Sequence, residues 1–346
     1  MKRIVLYGLI ACCTLLYVQE VHTRKSIRIL FYNVENYFDC KDDSLKNDED
    51  FLPGGAYGWN SSRFWHKTDQ LAKVLAIAGE GCFPHLVGLA EVENEDCLRC
   101  LLYTSSLKQA SYRYVYAESD DPRGIDICLL YNRFVFKPLE VEHIRVFPPG
   151  TGKKTRNILY VKGLLAIDEL LHVFVCHWPS RYGGAKTSEP FRREAAKKLR
   201  IKIDSVFACD NEAKIVIMGD FNDEPNNLSI CRDLGAGAPQ NVYQPAVLYN
   251  LMWPYLNNPD CGSIKYQGRW SVFDQIIVSS ALMYELPSVN RSQPVRRLPD
   301  ATILFENVLL VQDKKYMGYK PFRTYEGFRY TGGFSDHLPV FLDIPF

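Results

Sequence analysis

The strongest constraint on this chain is a set of short apolar runs, most of which lead into or out of a polar side chain. Residues 27–32 end at Asn33, residues 86–89 run into Ala90-Glu91, residues 171–176 end at His177, and residues 214–218 end at Gly219-Asp220-Phe221-Asn222. Asp336 and His337 stand at the head of the run 337–342. Runs of this length, rich in β-branched and aromatic residues, read as buried strands. Residues 125–131, 159–167 and 273–278 add three more. Between the first two runs Ser61-Ser62 supplies a helix start, and Phe64, Leu71, Val74, Leu75 and Ala78 keep a helical period. Gly79 supplies the stop. A second helix is expected over 189–207, with Pro190 in its first turn. Strands outnumber helices, which predicts a mixed α/β chain of two packed sheets flanked by helices.

With 47% hydrophobic and 23% charged residues, the chain has ample material for a core and is far from a disordered composition. No linker, repeat or low-complexity tract interrupts it after residue 26, so residues 24–346 are expected to form one domain. Residues 1–23 have the layout of a secretory signal: Met1-Lys2-Arg3, an apolar run over 4–18, then polar residues. That run is shorter than the roughly 20 residues of a membrane span, so export to the periplasm or medium is expected rather than anchoring. A lipoprotein-like box at Leu9-Ile10-Ala11-Cys12 is poorly placed, because the apolar run continues beyond it. Formal net charge is +1, which gives no global attraction to nucleic acid or anionic membranes. Charge is nevertheless uneven: residues 39–50 are acidic, while 291–329 carry Arg296, Arg297, Lys314, Lys315, Lys320 and Arg323. Both read as solvated loops. Nine cysteines outside the leader show no disulfide-scaffold spacing, and Cys97 and Cys100 read as neighbours on a helix face rather than a zinc half-site.

Ionisable groups at the ends of apolar strands are costly to bury unless paired or bound to metal, so together they nominate a site. Carboxylate and amide oxygens suit hard cations, Mg²⁺ or Mn²⁺, with Ca²⁺ also accommodated. No HExxH, Walker loop or GxSxG is present.

Six blocks then fall in order: Phe31-Tyr32-Asn33-Val34-Glu35-Asn36, Gly88-Leu89-Ala90-Glu91-Val92, Cys176-His177-Trp178, Met218-Gly219-Asp220-Phe221-Asn222, Phe273-Asp274-Gln275-Ile276 and Phe334-Ser335-Asp336-His337-Leu338-Pro339. In combination they resemble the endonuclease/exonuclease/phosphatase superfamily. The resemblance implies a four-layer α/β sandwich and a divalent-metal-dependent phosphoric ester hydrolase. It implies that Glu91 is the main metal-binding carboxylate, with Asn33 and Asp336 beside the cation or the scissile phosphate. Asp220 would orient or deprotonate the attacking water, Asn222 would donate to a phosphate oxygen, and His337 would pair with Asp274. His177 would be a second active-site histidine with Asp126 as its carboxylate partner, a salt bridge from Asp126 to Arg123 being the lesser alternative. Trp178 and Arg181 stand at the expected rim, for stacking on a base or sugar and clamping a phosphate; packing of Trp178 under the loop is the competing reading.

The function expected is an exported phosphodiesterase, a nuclease acting on nucleic acid as a monomer without a stable protein partner. Phospholipid, sugar or inositol phosphate hydrolysis would use the same residues. A catalytically dead binding module is a third reading, and the completeness of the polar set argues against it.

Overall fold

The computed structural model describes residues 26–147, 149–150, 155–240, 243–285, 295–296 and 300–345. The expected leader, residues 1–23, lies outside them, as do Arg291 and Arg297 of the basic stretch. Sheet one is built from β1 (Ser26–Tyr37), β2 (Leu86–Val92), β3 (Tyr112–Ala117) and β4 (Asp126–Asn132), with the strands Val340–Pro345 and Thr302–Ile303 on its other side. Sheet two contains β5 (Phe136–Ile144), β6 (Ile158–Leu165), β7 (Leu170–His177), β8 (Ile215–Asp220), β9 (Ala236–Gly237) and β10 (Leu248–Asn250). A hairpin, β11 (Ile264–Tyr266) and β12 (Arg269–Ser271), precedes the seventh strand of that sheet, β13 (Asp274–Ser279). Each sheet is mixed: β1 runs parallel to β2 and β7 parallel to β8, with antiparallel neighbours outside both pairs.

Period-two alternation decides the layers. Val173, Val175, Val216 and Met218 join the core shared with sheet one, while Phe174, Cys176, Ile215 and Ile217 join the core under α3. The two sheets meet closely at Gly88, where an added Cβ would stand 3.1 Å from both Met218 of sheet two and the Phe31 ring. Helix α1 (Ser61–Gly79) buries Phe64, Leu71, Val74, Leu75 and Ala78 in the core of sheet one, and α2 (Glu95–Thr104) adds Leu98 and Leu101. Helix α3 (Ala185–Cys209) lays Ala195, Ala196, Leu199 and Ile203 on sheet two. The result is the expected four-layer sandwich.

Boundaries differ in places from the sequence expectation. Asn60, rather than Ser61 or Ser62, caps α1, accepting the Arg63 backbone N–H. Helix α3 starts one turn early at Ala185, so Pro190 lies inside it and forgoes one backbone bond. The last strand begins at Val340 rather than at His337. Cys97 and Cys100 lie on α2 and join no potential metal cluster among the described residues. No helix among these residues is long and apolar enough to cross a membrane.

Candidate active site

Strand direction gathers the site. The carboxyl ends of β1, β2, β7 and β8 present Asn33, Glu91, His177 and Asp220 on one rim of the sandwich. Antiparallel β13 starts at that rim, with Asp274 in register opposite Asp220, and Asp336 and His337 lead into the last strand, antiparallel to β1. Gly219 makes the parallel pair possible here: a Cβ at that position would sit 2.4 Å from the Cys176 carbonyl oxygen. The β1–β2 ladder breaks between Asn33 and Tyr37, and Glu35, Asn36 and Glu91 all adopt positive φ. Left-handed backbone at three non-glycine residues is costly, and such positions concentrate at functional sites.

Asn33 bridges the sheets. Its Nδ2 donates to Asp220 Oδ2 at 3.1 Å and to Glu91 Oε1 at 3.3 Å, while its Oδ1 accepts the Glu35 N–H. Glu91 Oε2 accepts the Asn36 N–H at 3.0 Å. Burial and the nearby charge of Asp336 push the Glu91 carboxyl up, with Arg123 and His337 opposing. Asp336 is also penalised by burial, but Arg323, His337 and Lys67 hold it below the usual carboxylate range. Two mutually repelling, partly buried carboxylates beside an amide form an all-oxygen set that a hard divalent cation fits.

His337 Nδ1 lies 2.6 Å from Asp274 Oδ2, and its Nε2 lies 3.8 Å from Asp220 Oδ2. Burial disfavours the imidazolium, yet Asp274, Asp220 and Asp336 together raise it well above the usual histidine range. Asp220, Asp274 and His337 bring potential ligand atoms within 4.8 Å of one another. Because Nδ1 is spent on Asp274 and the ring is held protonated, this trio suits proton transfer rather than metal binding. Asp220, raised to about 6 by burial and partly relieved by His337, is mostly ionised at neutral pH.

Other expected contacts do not form. His177 Nε2 stands 3.7 Å from both Glu91 and Asp220, but its Nδ1 has no hydrogen-bond partner among the described residues. Burial, Arg156, Arg123 and His337 keep this ring neutral. Asp126 is not its partner: Ser119 Oγ at 2.5 Å and Tyr116 OH at 2.7 Å occupy its two oxygens. Nor does Asp126 bridge to Arg123, which pairs with Asp121 at 3.3 Å. Trp178 does not reach the rim surface; it is buried edge-on against Phe221 at 4.7 Å. Asn222, at φ 51°, donates its Nδ2 to the Trp178 carbonyl. Arg181 is occupied by the Asn222 carbonyl, Asp223 and Asn227, so it staples the loop after β8.

Four residues had no site role in the sequence reading: Arg323, Glu35, Lys67 and Arg156. Arg323 Nη2 contacts Asp336 at 3.1 Å and Glu35 at 3.0 Å, and Glu35 also accepts the Thr324 N–H. Buried Lys67 donates to Thr324 Oγ1 and the Phe334 carbonyl, and burial lowers it to about 8. Buried Arg156 ties Asp121 to the carbonyls of His177 and Trp178. Arg323 and Glu35 stood in the basic stretch and the first block without a role, and Lys67 had a local signal of its own: it sits three residues after Phe64 and four before Leu71, a charge on the apolar stripe of α1.

A protein-family model described as the endonuclease/exonuclease/phosphatase family matches residues 28–345. No curated protein sequence matches the chain. Similar solved structures include a protein of that family from Bacteroides thetaiotaomicron, at 16% identity over 92% of this chain and 97% of that one, with a TM-score of 0.56. The mannosyl-6-phosphatase of the same species aligns at 15% identity over 93% and 100%, with a TM-score of 0.54. D. rerio TDP2 complexed with single strand DNA product aligns at 16% over 92% and 99%, with a TM-score of 0.53. At these identities the likeness is one of fold.

Proposed function

The chain belongs to the endonuclease/exonuclease/phosphatase family of phosphoester hydrolases, and from that premise we propose that it is a divalent-metal-dependent phosphodiesterase that hydrolyses nucleic acid. The observation that carries the reading is the Asp274–His337–Asp220 relay set beside the carboxylates of Glu91 and Asp336. Asp220, ionised and steered by the Asn33 amide, takes a proton from water as the water oxygen bonds to phosphorus. Nε2–H of the His337 imidazolium gives its proton to the departing oxygen as the ester bond breaks. Transfer from Asp220 to His337 across their 3.8 Å gap restores both groups. Neutral His177 has one N–H to offer a phosphoryl oxygen. When bound by Glu91 and Asp336, with Asn33 alongside, Mg²⁺ or Mn²⁺ would withdraw charge from the phosphoryl oxygens. The same proposal includes export, supported by Met1-Lys2-Arg3 and the apolar run behind it.

The test is hydrolysis of bis(4-nitrophenyl) phosphate before and after exhaustive EDTA treatment. Loss of turnover, restored by Mg²⁺ or Mn²⁺, is expected, and Glu91→Gln should cost about 10²-fold or more in kcat. Undiminished turnover without metal sinks the reading.

A further inference from the structure

Two grooves outside the catalytic cluster share Asp336 and Tyr266 in their walls. One, of about 480 Å³, is lined by Lys265, Lys315, Lys320 and Arg323; the other, of about 1060 Å³, opens toward Tyr182 and Asn257. Tyr266 closes β11, just before a tight turn at Gln267 and Gly268, both at positive φ. The hairpin is fixed at both ends. Ile264 forms a backbone bridge to His337, while Lys265 Nζ donates to the carbonyls of Met317 and Tyr319 and pairs with Asp313 at 3.3 Å. Gly268 packs so closely on Tyr316 that a Cβ would meet that side chain at 2.9 Å. Tyr266 therefore projects from an anchored hairpin and is 72% exposed.

The strap facing it, residues 311–331, carries Lys314, Lys315, Lys320, Arg323 and Arg329 against Asp313 and Glu326, five positive charges against two negative. Lys320 and Arg329 both lean on Glu326, and Arg323 lies between Glu35 and Asp336. Lys315 has no carboxylate within salt-bridge reach among the described residues; its ammonium stands 5.0 Å over the Tyr316 ring. An exposed ring on a fixed hairpin beside an uncompensated cation, both adjoining the carboxylate of Asp336, suits an unstacked base followed by its phosphate. A duplex offers no free base face to such a ring.

We propose that Tyr266 and Lys315 form a single-stranded nucleic-acid subsite: Tyr266 stacks the base next to the scissile phosphate and Lys315, with Lys320 and Arg323 behind it, receives the neighbouring phosphate. This rests on the phosphodiesterase reading above and narrows it to one class of substrate.

The experiment uses the whole protein and compares kcat/KM on a short dT oligonucleotide, a duplex of the same length and bis(4-nitrophenyl) phosphate, which carries neither a nucleobase nor a second phosphate. Both side chains are exposed or lie on a groove wall, and melting curves of the variants check the fold. Expected are faster cleavage of single strand than duplex, and an oligonucleotide-to-small-diester ratio that falls about tenfold in Tyr266→Ala and is kept in Tyr266→Phe. Lys315→Glu should lower the same ratio and flatten its salt dependence. An unchanged ratio in both variants, equal rates on duplex and single strand, or a preference for phospholipid vesicles that these variants abolish would overturn the subsite. No turnover of the small diester by the unaltered protein with metal present would instead overturn the phosphodiesterase reading itself.

Discussion

His337 and His177 face the same cleft in opposite charge states, because their neighbours differ. Burial disfavours the charge on both rings, but Asp274, Asp220 and Asp336 overcome it at His337, whereas at His177 Arg156, Arg123 and His337 itself add to it. The first is a proton donor at neutral pH and the second is not. A raised histidine stabilises the fold fully below its unfolded value of about 6.5, and that contribution is lost as pH rises through the folded value. Asp274→Asn removes the closest of the three carboxylates and so lowers the folded value. The alkaline limbs of stability and of rate should both move to lower pH, with kcat down about 10²- to 10⁴-fold. NMR titration of His337 alongside a pH–rate profile checks this, and an alkaline limb that stays put would refute the relay. The His337–Asp274 pair was legible because each residue sits in a recognisable block. The true surroundings of Asp126 were not, since Tyr116 and Ser119 reach it only through the pairing of β3 with β4. Trp178 illustrates the same limit: its burial follows from Phe221, which no local pattern connects to it.

At the level of elements, apolar runs announced the central strands, and strand polarity then located the site without further information. Strand β5 went unread because it is an edge strand, largely exposed, in which Lys137, Pro138, Glu140, Glu142 and His143 break any apolar run. The β11–β12 hairpin was missed for its brevity, three residues a side. The parallel pair β7–β8 depends on Gly219 more than on any propensity. Gly219→Ala should destabilise the protein by about 1–3 kcal/mol, since the Cβ must displace the Cys176 carbonyl. Activity should fall further than stability, because the displaced backbone carries His177 and Asp220. Denaturant melts and diester rates on one preparation decide it; full activity with unchanged stability would show that the strands shift freely.

Over the whole molecule, near-neutral net charge conceals a division. Acidic residues 39, 42 and 43 line a cavity of about 540 Å³ with Glu93, which burial and the carboxylates of Asp39, Asp48 and Asp43 raise to about 8. The basic strap lies beside Asp336. A sum over the sequence cannot express that arrangement, although the uneven distribution along the chain hinted at it. The leader proposed for residues 1–23 has its own test: intact mass of the exported protein should begin beyond residue 18, near Thr23. Retention of Met1, or a lipid on Cys12, would contradict it.

Asn33 and Ser335 are 302 positions apart and joined by a 2.7 Å hydrogen bond from the Ser335 hydroxyl to the Asn33 carbonyl. The cleft is thus sewn together by a residue of the first strand of sheet one and one leading into its last. A polypeptide stalled or clipped before Phe334 lacks Asp336, His337 and the strand that closes sheet one against β1. Removing that stretch takes away the imidazolium of the relay and one cleft carboxylate together, so a copy cut there is expected to show no diester turnover.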